Sequence, residues 1–93
     1  MSAACSFEMH VHEIFQISNG RTIFVGEILK QNDYIPQCKG LVIVPGENDI
    51  EISIEGEEIL LDKKAEWRAI STSDKVDVIR LRKYTGNLQI IGK

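Results

Sequence analysis

An all-β domain is the architecture this chain predicts, and three observations carry it. Apolar residues recur at every second position in several short stretches, turn-forming residues separate those stretches, and 93 residues are enough for one small core. Chains of six or seven short strands joined by tight turns close into barrels or sandwiches, which removes exposed strand edges.

The elements follow in order. Residues 1–6 are expected to form a flexible N-terminus, and 7–93 a single domain. From Phe7 to Ile17 one parity carries Phe7, Met9, Val11, Phe15 and Ile17, interrupted by Glu13, while the other carries Glu8, His10, His12, Gln16 and Ser18. That pattern predicts a half-buried strand. Ser18-Asn19-Gly20-Arg21 predicts a hairpin with a two-residue type I′ turn, because Asn-Gly tolerates positive φ at both central positions. The returning strand runs from about Thr22 to Lys30. Turn residues fill Gln31 to Gly40, and Leu41-Val42-Ile43-Val44 predicts a strand buried on both faces, ended by Pro45-Gly46. Ile50, Ile52 and Ile54 alternate with polar residues up to an expected turn at Glu55-Gly56-Glu57, after which Glu58 to Leu61 would return. Asp62 to Ile70 fits a helical turn or a strand, and Val76 to Leu81 and Leu88 to Ile91 are expected as the last strands.

Composition bounds the function. A hydrophobic share of 43% with 27% charged residues is that of a globular protein, and no apolar run is long enough to span a bilayer as a helix. The first residues have neither the basic n-region nor the apolar h-region of a secretory signal, so a cytoplasmic setting is expected. Cys5 and Cys38 are too few for a disulfide scaffold or a complete zinc site and are expected as reduced thiols.

The opening hairpin also carries a resemblance. Val11-His12-Glu13-Ile14-Phe15-Gln16-Ile17, the glycine-bearing turn with Arg21, Thr22-Ile23 and Gly26-Glu27-Ile28 resemble the start of domain II in translational GTPases of the elongation factor Tu type. The segment Ser73 to Arg82 and the stretch Thr85-Gly86-Asn87-Leu88 are similar to later parts of that domain. The resemblance implies a closed six-stranded Greek-key barrel of the translation-protein type. It also implies an RNA contact near the first strand and its turn, since in that family this barrel helps hold the aminoacyl end of transfer RNA. The chain departs from the family at His12, where an acid is common, and at Asn19-Gly20-Arg21, where the family has Gly-Arg-Gly. No phosphate-binding loop of the G-x-x-x-x-G-K-[ST] type occurs, so no nucleotide is expected.

Charge patterning gives the functional candidates. Between Lys39 and Lys63 lie seven acids and no base, with Asp49, Glu51 and Glu55 on one strand face and Glu57 and Glu58 following. With the lone Trp67 as an aromatic anchor, these residues predict a protein-binding face for a basic partner, as in a small inhibitor or toxin-immunity protein. The opposite pole, Arg21, Arg80, Arg82, Lys83 and Tyr84, is the alternative RNA-binding set. A metal or small-molecule barrel is the third reading. His10 and His12 stand on one strand face about 7 Å apart in Cα, with Glu13 expected on the opposite face and no third histidine in the chain. No catalytic residue and no cofactor is predicted, because neither cysteine is tied to a base and the carboxylates lie in an exposed run.

Overall fold

The computed structural model describes residues 7–17, 19–29, 35–58 and 67–92. The segment 1–6, and the part of the expected return strand beyond Glu58, lie outside these residues. Six strands form, β1 (Glu8–Gln16), β2 (Thr22–Ile28), β3 (Cys38–Ile43), β4 (Ile50–Glu58), β5 (Trp67–Thr72) and β6 (Leu88–Gly92). They close in the order β1-β2-β5-β4-β3-β6, and every pairing is antiparallel. Strands β3, β4 and β5 are successive neighbours; β6 returns beside β3, and β2 lies beside β5, which makes two overlapping Greek keys. The all-β barrel expected from the sequence is what the chain forms.

Inside the barrel, Phe7, Met9, Val11 and Ile14 meet Phe24, Val42, Ile52, Ile54, Ile70, Leu88 and Ile90, all buried. The step from Val11 to Ile14 breaks the expected parity. A β-bulge between Val11 and Glu13 inserts His12 as an extra residue opposite Gly26, so the inward positions shift by one. Glu13, which interrupts the alternation in the sequence, marks this bulge. It pairs with Val25 on the outer face, so it does not point away from the histidines as expected. Phe15 is likewise carried outward, where it and Trp67 pack on a second cluster of Ile23, Val25 and Ala69. The strand buried on both faces is therefore β2, from Thr22 to Gly26, whereas β3 alternates. Gly26 is required by geometry: a Cβ there would stand 1.9 Å from the His10 carbonyl oxygen.

Three further local expectations are corrected. The β1–β2 loop has three residues, not two, because Ile17 N–H donates to Arg21 O at 3.0 Å and Gly20 N–H to Ile17 O at 2.9 Å. Gly20 has φ +87°, and no non-glycine among the described residues has positive φ, so Asn19 does not take up the I′ conformation. Glu55-Gly56-Glu57 is not a turn. Strand β4 runs through it with a bulge between Ile54 and Gly56, where Gly56 adopts φ +139° and Glu57 N–H donates to Ile35 O at 3.1 Å. Val76 to Leu81 is not a strand either. Asp77 accepts the Arg80 N–H at 3.1 Å and caps a single helical turn, α1 (Val78–Leu81), which continues as a 3-10 turn over Arg82–Tyr84. Val78 and Leu81 join the core and Val76 and Tyr84 pack against it, so most of the apolar residues that suggested a strand are still turned inward.

Cys38 is disulfide-bonded, which corrects the expectation of two reduced thiols. The chain's other cysteine, Cys5, lies outside the described residues.

Candidate functional site

Two outer regions collect the chemistry-bearing side chains. The first is built by strand register. His10 on β1 pairs with Glu27 on β2, and Glu27 pairs in turn with Trp67 on β5, so three side chains form a row across three strands. The bulge brings His12 into this row. Its ring lies 4.8 Å from that of Trp67 at an interplanar angle of 8°, stacked face to face, and 4.9 Å from that of His10. His12 Nε2 stands 3.1 Å from Glu27 Oε1. His10 Nε2 stands 2.6 Å from Gly86 O, and since a carbonyl only accepts, this nitrogen carries the proton and donates. The Gly86 turn is itself fixed, because Gly86 N–H donates to Val11 O at 3.0 Å, at the bulge. One ligand atom each from His10, His12 and Glu27 lie within 4.8 Å of one another, and all three residues are half-buried.

Sequence reasoning paired the two histidines but missed Glu27. The hairpin held the signal: a two-residue loop would have set Glu27 opposite His12, and the observed three-residue loop plus bulge sets it opposite His10. Either register brings this carboxylate to the imidazoles.

The second region is the charged face of β4. Glu51 and Glu55 on it, and Asp49 just before it, are exposed, as the alternation predicts. Four acids of the run, Glu47, Glu55, Glu57 and Glu58, are engaged with arginines. Arg21 Nε donates to Glu55 at 2.9 Å, and Arg21 Nη2 donates to Glu58 and, at 2.7 Å, to the Ser71 hydroxyl. Ser71 Oγ also donates to Glu58 at 2.6 Å. Desolvation pulls the Arg21 guanidinium down, but its hydrogen bonds and charge pairing with Glu58 and Glu55 outweigh this and raise its pKa. Glu57 accepts a two-pronged bond from Arg68, at 2.7 and 2.6 Å, and the Ile35 N–H at 3.1 Å. The Arg68 hydrogen bond holds the Glu57 carboxyl below its ordinary range against the opposing effect of burial, helped by Ile35 N–H and the Arg68 charge. Glu47 pairs with Arg80 and accepts the Tyr84 hydroxyl at 2.6 Å. Arg82 Nε donates to Ile14 O at 3.1 Å.

The predicted basic pole is thus divided. Arg21 sits with Glu55 and Glu58, Arg80 and Tyr84 sit with Glu47, Arg82 is turned to the β1 backbone, and Lys83 is exposed. Beside Arg80 an open groove of about 550 Å³ is lined by Gly46, Glu47, Asn48, Asp49 and Ile50. Ile79, on the same turn as Arg80, is 81% exposed, where the sequence suggests one of the apolar residues of a strand. Trp67 is half-buried and stacks on His12 in the imidazole region.

No protein-family model matches the chain, and no curated protein or solved structure matches it either. Among the described residues no helix is long and apolar enough to cross a membrane.

Proposed function

We propose that the chain is a non-enzymatic protein-binding module whose acidic face on β4 docks a partner with a basic surface, in the manner of a small inhibitor or toxin-immunity protein. The observation that carries this reading is the exposure of Asp49, just before β4, and of Glu51 and Glu55 on it, while Arg21, Arg68 and Arg80 are each held by a carboxylate, Glu55 among them. A face of this kind attracts a cationic surface and steers its approach. Ile79 is exposed on the same turn as Arg80, which lines the groove with Asp49, and adds an apolar anchor.

The alternative, an RNA- or ribosome-associated barrel, needs Arg21, Arg80, Arg82, Lys83 and Tyr84 to meet phosphates and a base. Four of these five make hydrogen bonds or ion pairs within the chain, and each would have to exchange one for a contact with RNA. Descent from the translation-protein barrel is part of the same proposal. It is supported by Gly26, a residue of the resemblance that the β1 bulge cannot do without. A cytoplasmic setting is part of the proposal, although disulfide-bonded Cys38 sits better in an oxidising compartment. Thiol titration of acid-trapped protein from its native cells decides between them: two free thiols per chain support the cytoplasm, none opposes it.

The test of function is capture from native lysate, with and without ribonuclease, by the wild-type chain and by the Asp49→Lys/Glu51→Lys variant. A protein retained after ribonuclease, lost on raising salt and bound at least ~10-fold more weakly by the variant, supports the acidic docking face. Equal retention by the variant sinks it. Transfer or ribosomal RNA released by ribonuclease would install the RNA reading in its place.

A further inference from the structure

We propose that His10, His12 and Glu27 form a binding site for one zinc-class divalent cation on the outer face of the β1–β2 ribbon. Three independent features converge on it. The ligand atoms are already gathered within 4.8 Å, from two adjacent strands whose register is fixed by the hairpin and by the requirement for glycine at position 26. The His12 Nε2 to Glu27 Oε1 separation of 3.1 Å is close to the ~3.3 Å that two ligands subtend across a tetrahedral zinc with bonds near 2.0 Å. Both imidazoles are also oriented by partners outside the cluster. His10 Nε2–H donates to Gly86 O, which leaves its other ring nitrogen with the lone pair that a cation needs, and His12 is held against the Trp67 ring. Such outer contacts fix the tautomer and ring orientation of metal-bound histidines.

The donor set selects the class of ion. Two imidazoles and one carboxylate suit zinc and its borderline neighbours, whereas magnesium and calcium take oxygen ligands in larger number. Three protein ligands leave the fourth tetrahedral position to water or to a donor atom from a partner. The bulge is what makes the site compact. In a regular strand His10 and His12 would stand about 7 Å apart in Cα, whereas here their ring centroids are 4.9 Å apart and His12 reaches the Glu27 carboxylate. This inference is independent of the acidic docking face, which shares none of its residues.

The experiment titrates zinc chloride into untagged, chelator-stripped protein by calorimetry, with the emission of Trp67 followed in parallel. Trp67 is the only tryptophan and stacks on a proposed ligand, so it reports occupancy directly. The expected result is one zinc per chain with a micromolar or tighter Kd, a change in Trp67 emission on the same curve, and no response to magnesium. His12→Gln and Glu27→Gln should each weaken zinc by at least ~30-fold, a loss within or above the range known for disturbed metal sites. Glu13→Gln, next to the site on the same face, should leave it unchanged. Each variant is first shown to be folded by circular dichroism, and His10→Gln serves if His12→Gln is not. Absence of saturable binding up to millimolar zinc, or equal affinity in the ligand variants, overturns the site.

Discussion

The β1–β2 ribbon and the β4 face both concentrate polar side chains on the outside of one barrel, but they do so by opposite means. On the ribbon, two histidines, a glutamate and a tryptophan are aligned by strand register, and His12 meets Glu27 across it. On β4, carboxylates outnumber their neighbours, yet Glu47, Glu55, Glu57 and Glu58 are tied to Arg80, Arg21 and Arg68. A run of like charge in sequence is therefore a poor measure of the charge a surface offers, because folding brings in cations from distant strands. A pair of histidines is a poor measure of ligand number for the same reason.

The comparison breaks most easily at Gly26. In the Gly26→Ala variant the added Cβ would collide with the His10 carbonyl at 1.9 Å, and the obstacle is backbone, which cannot rotate away. We expect a loss of more than about 3 kcal/mol in urea unfolding, or failure to fold. A Gly26→Ala chain that unfolds at the wild-type midpoint would show that the bulge does not set the ribbon's geometry.

The next effect belongs to the charged face. Glu57→Gln removes the carboxylate that accepts both Arg68 nitrogens and the Ile35 N–H, and should cost about 1–3 kcal/mol at neutral pH. The pH dependence follows from the sign of the shift. The folded carboxyl lies below its ordinary value of 4.5, so on acidification the unfolded chain takes up the proton first. The stabilisation is complete above that value and is lost as pH falls through the folded pKa. Urea midpoints from pH 7 down to pH 3 should therefore fall more steeply in wild type than in the variant, with the difference arising below about pH 4.5. Parallel curves would remove Glu57 as a source of acid sensitivity.

The barrel was legible because period-two burial acts on each strand locally: Phe7, Met9 and Val11, and Ile52 and Ile54, point inward as their spacing requires. What failed was whatever depended on a single inserted residue. Glu13 and Gly26 together spell a bulge, but alternation read along one strand registers Glu13 as noise and carries Phe15 to the wrong face. Val76 to Leu81 shows the same limit from another side. Val78 and Leu81 are buried, but an Asp77 cap turned the segment into helix and left Ile79 exposed. Of the candidate sites, Asp49 and Glu51 were legible because exposure on an alternating strand is local, whereas the partners of Arg21 and Glu27 come from pairings between strands that sequence spacing does not contain.

The smallest effect sharpens the comparison most. Asp49→Lys/Glu51→Lys reverses two exposed charges at the start of β4, and substitutions there should move unfolding by no more than about 0.5 kcal/mol. The variant's net charge nonetheless rises from −3 by four units, to +1, all of it on one face. Retention on an anion-exchange resin should therefore collapse while the urea midpoint stays put, which would show that these acids serve the surface and not the fold. Arg21→Gln supplies the converse: it strips the cation from Glu55 and Glu58 and should raise the salt needed for elution. If Asp49→Lys/Glu51→Lys instead lowers stability as far as Glu57→Gln does, these exposed acids support the fold as much as the arginine-bound Glu57 does, and exposure does not separate the carboxylates of this face by role.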